Sequence, residues 1–143
     1  MRTIETSIDI AAGPDTVWSI LMDFPSYPEW NPFVVGITGP ATIGEQLEVR
    51  LQPPGGKATT FRPRVTEVEE QRFFQWLGKV GFKGVFDGRH SFRINPTEHG
   101  VRFEHSERFT GILSGLMMRM IGKRTEAGFV AMNEALKARA EGS

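Results

Sequence analysis

The chain has 143 residues, with seventeen Lys and Arg balanced by seventeen Asp and Glu, and no cysteine. That length suits one domain burying about 70% of its unfolded surface. The even charge removes the basic footprint needed for nucleic acid, and the absence of thiols excludes disulfides and thiolate nucleophiles or metal ligands.

MRTIETSIDI lacks the apolar core of a signal peptide, and no apolar run reaches the ~20 residues of a membrane span. A soluble, cytoplasmic domain without stable membrane insertion is expected. Residues 2 to 11 alternate as a strand, with Ile4, Ile8 and Ile10 on one face and Glu5 and Asp9 on the other. Pro14 suits a first helical position and Asp15 the positive end of a helix dipole, so PDTVWSILM reads as a short helix. It should stop by Asp23, ahead of Pro25 and Pro28. FPSYPEWNPF (24–33) is then a proline-braced corner with space for one helical turn.

Strand signals follow at 33–38, 44–52, 58–69, 72–79, 84–95 and 100–109, broken at Gly39-Pro40, Pro53 to Gly56, Glu69 to Gln71, Gly81 and Asn95-Pro96. Pro63 inside one of them requires an edge or a bulge. Gly84 and Gly88 mark bends. Residues 111 to about 139 read as a long helix capped by Thr110. Its wide apolar stripe includes Leu113, Met117, Met120, Ile121, Gly128, Met132 and Ala135, extended by Phe129 and Leu136, as for a helix lying across a sheet. Arg124 interrupts that stripe, either snorkelling to a rim or facing the interior with a partner.

The order strand, short helices, six strands, long helix gives an α+β class. Five stretches carry more. IDIAAGPDTVWSILMD, YPEWNPF and VFDGRHSFRI, together with FEHSERF and GFVAMNEALK, resemble the START-related helix-grip (SRPBCC) superfamily, in its polyketide cyclase/dehydrase-like branch. The resemblance covers nearly the whole chain. It implies one domain with a curved, seven-stranded antiparallel sheet wrapped around the C-terminal helix, two short helices after strand 1, and a ligand cavity between sheet and helix.

FDGRHSFRINPTEHGVRFEHSERF (86–109) holds all three histidines, two of which, His90 and His105, stand at mirrored places about the turn-like NPTEHG. A hairpin with Ile94 opposite Val101 puts Phe92 opposite Phe103, His90 opposite His105, and Gly88 opposite Glu107. All of these share the concave face, while Arg89, Ser91, Arg93, Arg102, Glu104 and Arg108 face solvent. Three readings of His90, His105 and Glu107 stay open: satisfied buried polarity, polar contacts orienting an apolar ligand, or a metal or proton-transfer set. No HExxH-like spacing supports a metal, and no metal is expected. There is also no G-x-S-x-G turn and no Gly-rich phosphate loop, so no cofactor is expected.

The expected ligand-contacting residues are Trp30, Phe33, Trp76, His90, Phe92, Phe103, His105, Glu107, Met117, Met120 and Arg124. Trp30 serves either as a hydrophobic plug or at the cavity mouth. Both faces of the strand around Trp76 are apolar, with Phe74 on one and Phe73 and Leu77 on the other. The expected function is binding of a small apolar ligand, lipid-like or aromatic. The alternative is a cyclase or dehydratase acting on a polyketide-like compound through His90, His105 and Glu107. A partner-binding module with a vestigial pocket is a third class. Nothing in the sequence sets an oligomeric state.

Overall fold

The computed structural model describes residues 2–80 and 84–142. Strand β1 (Arg2–Ile10) leads into α1 (Pro14–Met22), a 3-10 turn (Phe24–Ser26) and α2 (Tyr27–Trp30). Then come β2 (Val34–Thr38), β3 (Glu48–Leu51), β4 (Thr59–Phe61), β5 (Arg64–Glu69), β6 (Phe73–Val80), β7 (Phe86–Thr97), β8 (Gly100–Thr110) and α3 (Ser114–Glu141). Pro14 opens α1 and Asp23 closes it, as their chemistry requires. Tyr27 pins the proline corner by donating its hydroxyl to the Leu21 carbonyl at 2.7 Å. Burial, reinforced by the Asp23 charge, raises the Tyr27 phenol far above its ordinary range.

The domain is the expected α+β helix-grip arrangement, with antiparallel strands and a long C-terminal helix. Among the described residues it has eight strands in two sheets, ordered β1-β8-β7-β6-β5 and β2-β3-β4. The expected count of seven changes because the segment 58–69 breaks at Arg62-Pro63. Pro63 offers no N–H to a ladder, so the chain leaves one sheet there and enters the other. The segment ahead of β3 meets the start of β5 at a bridge, Gln46 to Arg64, where the Leu47 N–H donates to the Pro63 carbonyl and the Val65 N–H to the Glu45 carbonyl. The break expected at Gly81 lies outside the described residues.

The β7–β8 hairpin corrects the expected register by two residues. Pro96 pairs with Val101, Ile94 with Phe103, Phe92 with His105, and His90 with Glu107. The strand runs through Asn95-Pro96 instead of ending there. The Ile94 N–H points away from β8, to the Arg72 carbonyl at 2.8 Å, and two residues on the Pro96 nitrogen points the same way. Pairing with β6 has already ended at Arg93, so no acceptor is deprived. A shift of two preserves every face. His90, His105, Phe92 and Phe103 are buried inside, and Arg89, Arg93 and Arg102 are outside.

Helix α3 also starts later than expected. Thr110 ends β8 and does not cap the helix; Gly111, at φ +109°, makes the reversal. The buried positions of α3 are Ser114, Gly128, Phe129, Met132, Asn133, Leu136 and Ala140. The expected apolar stripe is therefore rotated: Leu113 and Met120 are exposed, while Met117 and Ile121 are half-buried. Asn133, which looks like a surface residue, lies on the buried arc, its side chain bonded to His105 and Thr6 of the sheet. The core joins Phe129, Met132 and Leu136 of α3 to Phe33 and to Phe74, Phe92 and Phe103 of the larger sheet. Among the described residues no helix is long and apolar enough to cross a membrane.

Candidate functional site: a polar-floored cavity

A cavity of about 330 Å³ lies between the two sheets and α3. The smaller sheet contributes Val49, Leu51 and Phe61; the larger contributes Trp76, Phe86, Gly88, His90, Glu107 and Phe109; the helix contributes Ile121, Arg124 and Thr125. Exposed Lys57, Thr59, Lys79 and Arg124 form its mouth. The Arg124 stem lies beside Gly56 in the β3–β4 turn, so helix and turn meet there. Its size is near the lower end for small-molecule sites, and its walls are mostly apolar with few polar groups, as such sites usually are.

Those few polar groups begin a buried hydrogen-bonded chain across four elements. Thr6 of β1 donates its hydroxyl to the His105 carbonyl at 2.7 Å and accepts the Asn133 amide at 2.9 Å. The Asn133 carbonyl oxygen therefore faces His105 Nδ1, 2.9 Å away, and that nitrogen must carry the hydrogen. His105 is fully buried, and its pKa lies well below the ordinary imidazole value. Desolvation is the main cause and the nearby His90 the next, against an opposing contribution from Asn133. Neutral and protonated at Nδ1, His105 offers Nε2 as an acceptor. His90 Nε2, 2.7 Å away, donates to it.

His90 Nδ1 is then left 3.1 Å from Glu107 Oε1. Two lone pairs at that separation repel, so one proton lies between them. Either an imidazolium faces a carboxylate, or a neutral imidazole accepts from a carboxylic acid. The Glu107 side chain is 15% exposed and forms part of the cavity wall. It is the exchangeable end of the chain; His105 and Asn133 are its fixed end. Two further features hold it in place. The Glu107 carboxyl lies so close over Gly88 that a Cβ there would overlap Oε2, and Trp76 stacks on the His90 ring at 4.8 Å and 26°.

The expected residues separate accordingly. Phe33, Trp76, His90, Glu107 and Arg124 line the cavity, with Arg124 at the rim. His105, Phe92 and Phe103 lie behind that wall: His105 stacks on Phe129 at 4.1 Å, and Phe92 packs between His90 and Phe103. Three placements are corrected. Trp30 plugs the corner edge-on to Tyr27, away from the wall, its indole N–H buried and unpartnered among the described residues. Met120 points to solvent, and Met117 packs on the core without reaching the cavity. His90, His105 and Glu107 form a line with His90 in the middle, both of its nitrogens engaged, and not a facial set. Among the described residues no group of three His, Asp or Glu is arranged to hold a metal.

Sequence reasoning missed Gly88 as a seat for Glu107, Asn133 and Thr6 as the fixed end, and Lys57 and Lys79 at the mouth. A buried-face Asn within an otherwise apolar helical arc was the one available signal for Asn133.

No curated protein matches the chain. Solved structures do. An aromatase/cyclase from Streptomyces sp. R1128 is 17% identical, with a TM-score of 0.78 and 98% of this chain covered against 93% of that one. A START superfamily protein from Mycobacterium smegmatis is 22% identical, at 0.70, covering 98% and 97%. The di-domain ARO/CYC StfQ from the steffimycin biosynthetic pathway is 16% identical, at 0.77, covering 98% of this chain and 50% of that one. At such identities the likeness shows a shared fold. The family profile goes further, matching residues 1–141, and on that match the chain belongs to the polyketide cyclase/dehydrase and lipid transport family.

Proposed function

We propose that this protein acts in the cytoplasm as a binder of a small, mainly apolar ligand of aromatic or lipid-like character, carrying at least one hydroxyl or carbonyl. The observation that carries this reading is the cavity itself: apolar on nearly all sides, with one polar station, the Glu107 carboxyl and its His90 partner, at the floor. A ligand oxygen reaching that station meets either an acceptor or a donor, according to where the shared proton sits. The apolar walls supply affinity and the station supplies orientation.

Native mass spectrometry of the purified protein, then titration of the recovered ligand, tests this reading. One ligand per chain is expected, with Glu107→Ala and His90→Ala weakening it by about 1–3 kcal/mol, roughly fivefold to 150-fold. A ligand that binds these variants as tightly as the parent protein removes the polar station from the function. An absence of any apolar ligand removes the binding reading altogether.

A second reading rests on the shared proton. A buried pair holding one exchangeable proton at a cavity wall suits general acid–base chemistry on a polyketide-like substrate, protonating a carbonyl oxygen or taking a proton from the adjacent carbon. Turnover of the recovered ligand by the parent protein, lost in Glu107→Gln, would place the enzyme reading first.

A further inference from the structure

Helix α3 carries a second apolar surface that the core does not use. At 3.6 residues per turn, Leu113, Leu116 and Met120 fall within an arc of roughly 60°, on the side opposite Phe129, Met132 and Leu136. Leu116 is 56% exposed and Met120 71%, and Ile112 stands free just ahead of the helix. Such a ridge is costly in water unless something covers it.

The charges beside it say what. Lys123 and Arg119 flank the ridge on one side and Arg124 on the other; all three are exposed. Between residues 110 and 125 the sequence contains no Asp or Glu. Arg2 adds a fourth cation, its guanidinium lying beside Gly115. A second copy of this chain is a poor occupant, because apposing two ridges would bring cations against cations with no carboxylate between them. An exposed apolar ridge with basic side chains on both flanks is instead the composition of a helix that lies in a membrane interface.

We propose that the first half of α3 docks this protein reversibly on a bilayer bearing anionic headgroups, with Leu113, Leu116 and Met120 entering the acyl boundary and Arg119, Lys123 and Arg124 resting among the headgroups. The docking is peripheral and no segment spans the bilayer. Ile121, Arg124 and Thr125 line the cavity from the same turns, so the cavity's helix wall lies next to the docked surface. The docking surface does not depend on what the cavity holds.

Flotation with phosphatidylcholine vesicles, with and without phosphatidylserine, tests the proposal on the full chain. Binding is expected only to the vesicles containing phosphatidylserine, weakening as salt screens the charges. Neutralising Arg119 and Lys123 to Gln should cost about fivefold each in partitioning, the equivalent of about 1 kcal/mol per basic residue near such a surface. Leu116→Glu with Met120→Glu should abolish binding and leave the melting temperature and the circular dichroism spectrum unchanged, since both side chains are already exposed. Ligand titration of this double variant reads the cavity separately, so the docking surface and the ligand site can fail independently. Absence of binding to phosphatidylserine vesicles, equal binding to both vesicle types, or binding unaffected by the double substitution overturns the proposal. So does a parent protein that sediments as a dimer and becomes monomeric in the double variant.

Discussion

His105 makes the stability of this domain depend on pH in a way that one substitution should expose. The residue is fully buried and uncharged in the folded state, held well below its ordinary pKa chiefly by desolvation. In the unfolded chain it titrates near the reference value of about 6.5. A depressed folded pKa means that stability is complete above that value and is lost as pH falls, because only the unfolded chain takes up the proton. While the pH stays above the folded pKa, each unit costs up to about 1.4 kcal/mol. The loss from this one residue therefore begins just above the unfolded-chain value and accumulates with falling pH until the folded pKa is reached. Urea unfolding followed by circular dichroism reads this directly: with a slope near 2 kcal/mol per molar, the midpoint should fall by up to roughly 0.7 M per pH unit within that window. His105→Gln removes the titrating group. Its own penalty, set by the lost contacts to Asn133 and Phe129, is constant with pH and cancels when only the pH dependence is compared. The variant should be less stable at neutral pH, with a flatter profile below about pH 6.5. Parallel profiles for parent and variant would show that His105 is not a neutral buried imidazole, and the directional reading of the chain from Thr6 to Glu107 would fall with it.

Three further outcomes follow from single contacts. Gly88→Ala should push the Glu107 carboxyl away from His90, lowering ligand affinity by about fivefold or more for one lost buried hydrogen bond, with the melting temperature little changed; unchanged affinity would show that the carboxyl reseats freely. Phe129→Ala, at a fully buried ring stacked on His105, should cost about 3–5 kcal/mol by chemical denaturation. Tyr27→Phe leaves the Leu21 carbonyl unpaired beneath the proline corner and should cost about 1–3 kcal/mol, without altering cavity binding.

Much of this was legible in the sequence because period-two alternation assigns faces even where it misassigns partners. His90, His105 and Glu107 fall on the concave face whether Val101 pairs with Ile94 or with Pro96. The partner depends on whether a proline ends a strand, and that depends on the neighbouring strand's length, which is not local information. The short helices were legible because Pro14, Pro25 and Pro28 act within a turn. The buried arc of α3 was not: apolar counting centres it near Arg124, whereas the observed arc includes Asn133, bonded to His105, 28 residues earlier in the chain. The division into two sheets was legible only as a warning at Pro63. The cavity mouth combines Lys57, Lys79 and Arg124 from three elements that nothing in the linear pattern relates.

The break at Pro63 also divides responsibility for the ligand. The station proposed to meet a ligand oxygen belongs to β7 and β8, anchored by Thr6 and Asn133, and a change there disturbs a buried network. Much of the opposing wall, Val49, Leu51 and Phe61, belongs to the separate three-stranded sheet. Substitutions on that wall can change which shapes fit while leaving the proton-sharing pair untouched. On the proposed reading, a lineage built on this plan can therefore drift in ligand choice through steps on one sheet that leave the buried network of the other intact.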